Sequence, residues 1–206
     1  MANGKVITGY SRPFVALYNN NEGTITYTSG MPLARGVDVS VEAETGDAVN
    51  FYADNVMAES VGGVFTGATI TMTVDGLKDA ARKLIMGLPN AEQISVGSGG
   101  DRRQVDIYTY DDRQNIPNVG IGFVVRYMES GVTSYQPVVF TKASFSVDGL
   151  DAATQEEEIE FQTTELEASL MRDDSEHHAW RKIGAEQTSE ADAVAVVKAL
   201  LNITGA

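Results

Sequence analysis

The sequence predicts a mainly β fold, a β-sandwich or rolled antiparallel sheet with one flanking α-helix and a C-terminal helix. Three observations carry this. Apolar and polar residues alternate with a period of two in one stretch after another, the mark of half-buried strands. Only two windows show the 3.6-residue stripe of an amphipathic helix. Turn-forming Asn, Asp and Gly punctuate the rest at short intervals.

The chain is organised around Gln136 to Leu170, two extended segments joined by an acidic loop. In the first, Val139, Thr141, Ala143, Phe145 and Val147 share one face, and Lys142, Ser144 and Ser146 the other. In the second, Ile159, Phe161 and Thr163 alternate with Glu158, Glu160, Gln162 and Thr164. Leu166, Ala168 and Leu170 then resume the apolar face one residue out of phase, so a β-bulge is expected near Thr164 and Glu165.

In chain order, Lys5 to Tyr18 is a mixed segment whose run Phe14–Leu17 is either a strand covered on both faces or a surface covered by another subunit. Asn19 to Gly23 turns the chain, and Ile25 with Tyr27 marks a short strand ending near Ser29 and Gly30. Val37, Val39 and Val41 alternate with Asp38, Ser40 and Glu42. After a turn at Glu44–Asp47, Val49 to Ala53 runs extended, and the small residues beyond Asn55, including Gly62 and Gly63, are expected to form a mobile loop. The most regular strand has Ala68, Ile70, Met72 and Val74 on one face and Thr69, Thr71 and Thr73 on the other.

Leu77, Ala80, Ala81, Leu84 and Ile85 make a helical stripe with Asp75 as the expected N-cap and Gly87 with Pro89 closing it. Val96 to Arg103 reads as a glycine-rich loop, followed by a strand over Val105–Tyr110 and a polar turn to Asn118. Val119, Ile121, Phe123, Val125 and Tyr127 alternate with a face bearing Gly120 and Gly122, where something should approach the backbone closely. An echo of Val74–Ala81 recurs at Val147–Ala153, and repeated turn chemistry explains it more simply than duplication. The last helix has Ser189 as cap and Val194, Val197 and Leu201 as its apolar stripe, to be docked on a sheet edge or a neighbouring chain.

A length of 206 residues without a low-complexity linker points to one domain, divided into an N-terminal arm (1–20), a β-core (21–171, with helix 77–87) and a C-terminal extension (172–206, with helix 189–202). No run of about 18 apolar residues could span a bilayer, and Met1–Tyr10 has no apolar signal core, so assembly in a cytoplasm is expected. The net charge of −14 leaves little with which to grip nucleic acid, whose binding draws on Lys and Arg at phosphates. Acidity alone would otherwise be read as solubility.

No catalytic constellation is visible. His177 and His178 are adjacent, so their side chains diverge, and they read as a polar linker. Glu156, Glu157 and Glu158 lack the donor spacing of a calcium loop. Gly97, Gly99 and Gly100, followed by Arg102 and Arg103, match neither phosphate-binding signature. With no cysteine there is no disulfide or thiolate ligand, and no serine sits in a nucleophile elbow. Asn202–Thr204 forms a glycosylation tripeptide that has no meaning without secretion. The expectation is a non-enzymatic protein without cofactor or metal.

The valine-alternating strand and acidic turn of Val37–Asn55, with Phe51, Tyr52, Ala53, Asp54 and Asn55, lead into a Thr-rich strand (Phe65–Val74) and a short helix (Leu77–Met86). Together with Phe140–Leu170 and its Gln155–Glu158 approach, this succession resembles the major tail proteins, or tail tube proteins, of long-tailed bacteriophages over roughly 33–170. The resemblance rests on order and local pattern. It implies the tail tube fold, assembled into hexameric rings that stack into a virion tail tube, with DNA passing through unbound. It also implies contacts with tape measure, tail terminator and distal tail proteins, and no membrane. The tube protein of type VI secretion systems shares the fold, which keeps an injection tube as one alternative. A surface-displayed β-sandwich binding carbohydrate or receptor is another, and a hydrolase using Asp111 with Asp112 or Glu158 with Glu160 a third.

A conduit for a polyanion needs a neutral to acidic wall. The candidate lumen-lining residues are Asp38, Ser40, Glu42, Thr69, Thr71, Thr73, Glu158, Glu160 and Gln162, with ordinary solvent exposure as the competing reading. For contacts between rings the candidates are the N-terminal arm, the Glu44–Phe65 loop and the Arg172–Lys182 segment. These carry Phe51, Tyr52, Arg172, Trp180 and Arg181, and a core or hinge role is the alternative for Trp180.

Overall fold

A computed structural model describes residues 4–149 and 161–204. Strands β1 (Val6–Asn21), β2 (Thr24–Pro32) and β3 (Gly36–Thr45) are followed by a hairpin of β4 (Val49–Ala53) and β5 (Val56–Val61), then by β6 (Phe65–Val74). Helix α1 (Asp79–Met86) leads to a second hairpin, β7 (Glu92–Val96) and β8 (Arg103–Ile107). Strands β9 (Val119–Glu129), β10 (Val132–Phe145), β11 (Thr164–Met171) and β12 (Arg181–Ile183) precede helix α2 (Glu190–Leu200). The fold is mainly β, as its alternating sequence predicts.

One antiparallel sheet dominates, in the order β2-β1-β9-β10-β11-β6-β3, with β12 pairing β10 beyond the end of β11. Its β3 end returns to β1, where Gly36 packs directly on the Tyr10 ring, so the sheet is rolled around its core. Inside the roll, Val15, Ile121, Phe123, Val138 and Phe140 meet Ile70, Met72, Leu166, Ala168 and Leu170. Ala81, Ile85 and Met86 of α1 join the same core. Tyr10, Phe123 and Phe140 form a chain of ring contacts through it, at 5.2 and 5.9 Å between centroids. Burying these side chains supplies the main driving force, at about 25 cal/mol per Å² of apolar surface.

The outer face of β1, β9 and β10 carries a second cluster. There Phe14, Ala16, Val124 and Val139 are covered by Ala193, Val197 and Leu201 of α2. The apolar run Phe14–Ala16 is thus a strand covered on both faces within its own chain, Val15 pointing into the roll and its neighbours towards α2. Within the 1–20 segment expected as an arm, residues 6–20 belong to β1, an interior strand of the sheet. Gly120 and Gly122 explain how α2 sits so close: a Cβ on Gly122 would lie 2.6 Å from Val197 Cγ1, and one on Gly120 would lie 2.7 Å from Leu201 Cδ2. Ser189 caps α2 by accepting from Asp192 N–H at 3.1 Å, and the helix lies on a sheet face rather than an edge.

Several local expectations are corrected. The β-bulge falls in β10, where the pairing with β9 slips between Phe140 and Ala143, and β11 pairs β6 without a slip from Thr164 to Leu170. The slip brings Ala143 and Phe145 onto the core side with Phe140, while Val147 lies beyond the strand and is exposed. Phe161 precedes β11 and is 91% exposed, so residues 161–163 are not strand, while Ile159 lies outside the described residues. Val37 is also exposed, because the β3–β6 pairing slips between Gly36 and Asp38. Of the stretch after Asn55, Val56–Val61 is strand β5, and the loop is confined to residues 62–64 with Gly62 and Gly63. The glycine-rich segment before Arg103 is the connection of the β7–β8 hairpin. Asp75 does not cap α1: its carboxylate accepts from Arg35 N–H at 2.9 Å, and Lys78 holds the N-cap position without a side-chain bond. Gly87 closes the helix in the left-handed conformation, as expected.

Candidate functional site

The outward-facing surface of β3, β6 and β11 carries the polar side chains. Register places Asp38 beside Thr73 and Glu165, Ser40 beside Thr71 and Glu167, and Glu42 beside Thr69 and Ser169. The intervening residues Val39, Val41, Ile70, Met72, Leu166 and Ala168 point into the core, which fixes the direction of the polar set. The threonines are half-buried between flanking strands, while the carboxylates and serines on either side are exposed. None of these three strands contains a lysine or arginine. The result is a base-free, acid-bearing face three strands wide.

Six of the nine residues assigned to this wall from sequence therefore lie together. Gln162 is exposed but precedes β11 and is outside the ladder. Glu158 and Glu160 lie outside the described residues. The face has three further members, Glu165, Glu167 and Ser169. Their signal is the alternation with Leu166, Ala168 and Leu170, which puts Glu165, Glu167 and Ser169 on the face opposite the core.

The second feature is the β4–β5 hairpin, in which every strand residue is exposed. Pairing of Val49 with Val61, Phe51 with Glu59 and Ala53 with Val56 puts an apolar set on one face. Tyr52 and Met57 pair on the opposite face, next to Asn50 and Ser60, which are hydrogen-bonded at 2.7 Å. Phe51 and Tyr52 are thus on the same strand but opposite faces, 62% and 63% exposed. At the root, Gly46 N–H donates to Val64 O at 2.9 Å, and Gly63 lies against the Gly46 carbonyl so closely that a Cβ would sit 1.7 Å from it.

The remaining assigned residues converge on that root. Phe65, the first residue of β6, stacks on Trp180 with ring centroids 4.2 Å apart and planes 12° from parallel. Arg172 donates to Phe65 O at 2.6 Å with its guanidinium 5.9 Å from the Phe65 ring, and Arg181 lies 4.6 Å from the Trp180 ring. Such cation–π contacts contribute about 0.5–1 kcal/mol each at exposed sites. Trp180 is half-buried against the core, so its contacts are within the chain, at the neck of the hairpin.

The 172–180 segment is held by two further anchors. Asp173 is buried, its carboxylate accepting from Ser175 N–H at 3.1 Å and from the Ser175 hydroxyl. Asp174 accepts from Lys142 Nζ at 2.8 Å and from the Tyr18 hydroxyl at 2.7 Å. These two donors, Lys142 first, hold its carboxyl below the usual range. Burial, with the carboxylate of Asp174 beside it, pushes the Tyr18 hydroxyl up to about 12. His177 is exposed, and His178 turns back so that Nδ1 lies 3.1 Å from Asp173 O. Among the described residues no group of His, Asp and Glu is placed to hold a metal ion.

Asp111 is engaged by the Arg113 guanidinium, which holds its carboxyl below the usual range. Arg82 Nε lies 3.0 Å from Asp148 Oδ2, close enough for an ion pair but off the line a hydrogen bond requires, while Tyr110 donates to Asp148 Oδ1 at 3.0 Å. No helix among the described residues is long and apolar enough to cross a membrane. A scan against protein-family models and a search of curated proteins found no match to this chain.

Proposed function

We propose that this chain is the subunit of a phage tail tube, closing into hexameric rings that stack into a conduit through which DNA leaves the virion. The observation that carries the reading is the polar face of β3, β6 and β11, with Asp38, Glu42, Glu165 and Glu167 and no base on any of the three strands. Turned inward around a bore, it offers a polyanion no salt bridge and repels it weakly along its whole length. This is why DNA fits better as cargo than the protein load of a secretion tube.

The assembly also accounts for two features that burden a lone subunit. Strands β2 and β3 end the sheet order, and pairing edges between neighbours in a closed ring removes the hazard of open-ended growth. The exposed hairpin β4–β5 gains cover from an adjacent ring. Tape measure, terminator and distal tail proteins would meet the two ends of such a tube.

The test is negative-stain microscopy and sedimentation of the purified chain across a concentration series. Rings or tubes with an open bore are expected. A monomer at the highest concentration, without rings in any condition, overturns the reading.

A further inference from the structure

Between α1 and β8 lies a shallow, mainly apolar depression of about 280 Å³, lined by Leu88, Ile107, Tyr108 and Tyr110. Its size is at the small end of ligand sites, which run from about 300 Å³ upward, so it suits one ring-sized molecule and not a peptide or a domain. Tyr110 is 45% exposed, and its hydroxyl is tied down by donating to Asp148 Oδ1 at 3.0 Å. Tyr108 is half-buried against the core. Both rings are thus set in position before any ligand arrives, and little conformational freedom is left to lose on binding.

Three charged side chains also line the depression: Asp79 in the first turn of α1, Arg82 one turn on, and Asp106 of β8. Arg82 is already matched in charge, because its Nε stands 3.0 Å from Asp148, whose side chain is only 6% exposed. That contact spends no hydrogen bond. The guanidinium therefore brings its terminal N–H donors without net charge. Asp106 accepts from Gln93 Nε2 at 2.9 Å on Oδ1, which leaves Oδ2, and no base among the described residues pairs with Asp79 or Asp106.

Carboxylates only accept and a guanidinium only donates, so a ligand that satisfies both must do both. An anion would face Asp79 and Asp106. An organic cation would face Arg82, with Lys83 Nζ already 6.0 Å from the centroid of the Tyr108 ring. A neutral polyol meets neither penalty, since each hydroxyl can donate to a carboxylate and accept from the guanidinium. A pyranose ring adds an apolar C–H face, whose weakly positive hydrogens sit well on the negative face of a tyrosine ring.

We propose that this depression binds a neutral sugar, one pyranose ring stacked on Tyr110, with Asp79 and Asp106 accepting from its hydroxyls and Arg82 donating to its oxygens. The site uses no residue of the β3, β6 and β11 face and does not depend on the tube reading. A ring of about 13 non-hydrogen atoms, bound with the efficiency of an ordinary ligand, has a Kd on the order of 1 mM.

The full chain is mixed with the methyl glycosides of glucose, mannose, galactose and N-acetylglucosamine, and binding is read by saturation-transfer NMR on the ligand. Choline and inorganic phosphate serve as the cationic and anionic probes. At least one glycoside is expected to bind near the Kd given above, and neither charged probe is. Asp79→Ala and Asp106→Ala should each weaken that binding by roughly tenfold or more, the worth of a hydrogen bond to a charged group. Tyr110→Ala should weaken it by about tenfold, whereas Tyr110→Phe keeps the ring and should stay within about threefold. Thermal transitions are recorded for every variant, and the two aspartate variants, both at exposed positions, decide the matter if Tyr110→Ala unfolds. Choline or phosphate binding in place of the glycosides overturns the proposal, as does the failure of every glycoside to bind at about 20 mM, well above the expected Kd. Glycoside binding that survives Asp79→Ala, Asp106→Ala and Tyr110→Ala unchanged puts the sugar elsewhere on the chain and overturns it too.

Discussion

Replacing Gly122 by alanine tests the packing that seats α2 on the sheet. The added Cβ would meet Val197 Cγ1 at 2.6 Å, Leu201 Cδ1 at 3.0 Å and Val139 Cγ2 at 3.2 Å, all of them side-chain atoms in a fully buried layer. Overpacking of this kind costs about 1–3 kcal/mol. For a chain of this size, each kcal/mol lowers Tm by roughly 2–4 °C, so a fall of roughly 2–12 °C is expected in thermal unfolding followed by circular dichroism. Val197→Ala by itself removes buried methyl groups at about 0.8 kcal/mol or more each. In the double variant the new methyl occupies the space that Val197 vacates, so the combined loss should fall short of the sum by about 1 kcal/mol. Strict additivity, or a Gly122→Ala protein with an unchanged Tm, would refute the claim that Gly122 is there to admit the helix.

Trp180→Ala, which removes a half-buried ring stacked on Phe65, should cost about 2 kcal/mol, roughly half the full-burial figure, while Trp180→Phe keeps a stack and should cost under about 1 kcal/mol. Equal losses from the two in chemical denaturation would argue against stacking as the cause. Asp174 has its carboxyl depressed by Lys142 and Tyr18, so its stabilisation is complete above the ordinary Asp value near 3.9 and disappears as pH falls through its lower native value. Asp174→Asn should therefore lower stability at pH 7 by about 0.2–1 kcal/mol and converge with the parent in strong acid, and a difference constant from neutral pH downward would contradict this. Glu167→Lys, in the middle of the acid face and exposed, should alter stability by less than about 0.5 kcal/mol. If the face lines a bore, the same change should slow DNA release, and unchanged release would remove Glu167 from the wall.

Where one face of a strand is buried, the sequence was legible almost residue by residue. Ala68, Ile70, Met72 and Val74 are all buried, as their alternation predicts, and the glycines of β9 lie under a helix whose capping serine was readable in advance. The misreadings arose where tertiary structure overrides local pattern. A period of two is insensitive to where a strand begins, so the alternation ahead of Thr164 passed for strand although Phe161 is in water. A slip in register moves every later side chain to the other face, and apolar residues on both sides of β10 hid the slip after Phe140. Strand β5 went unread because Val56, Met57, Ala58, Glu59, Ser60 and Val61 carry no clear alternation: the bulge opposite Phe51 and Tyr52 interrupts it. The contact of Trp180 with Phe65 joins residues 115 positions apart, and no local pattern announces such a meeting.

The neck at Gly46 and Gly63 separates two kinds of freedom. Any side chain at Gly63 would have to occupy the space of the opposite peptide oxygen, so the point at which the finger leaves the body, and its aim, are closed to substitution. Beyond that point every strand residue is solvent-facing, and the Asp54–Asn55 tip is exposed with both residues in the left-handed conformation. Lengthening or retipping the finger alters its reach while its base stays put, so this part of the chain can change without relearning how to fold.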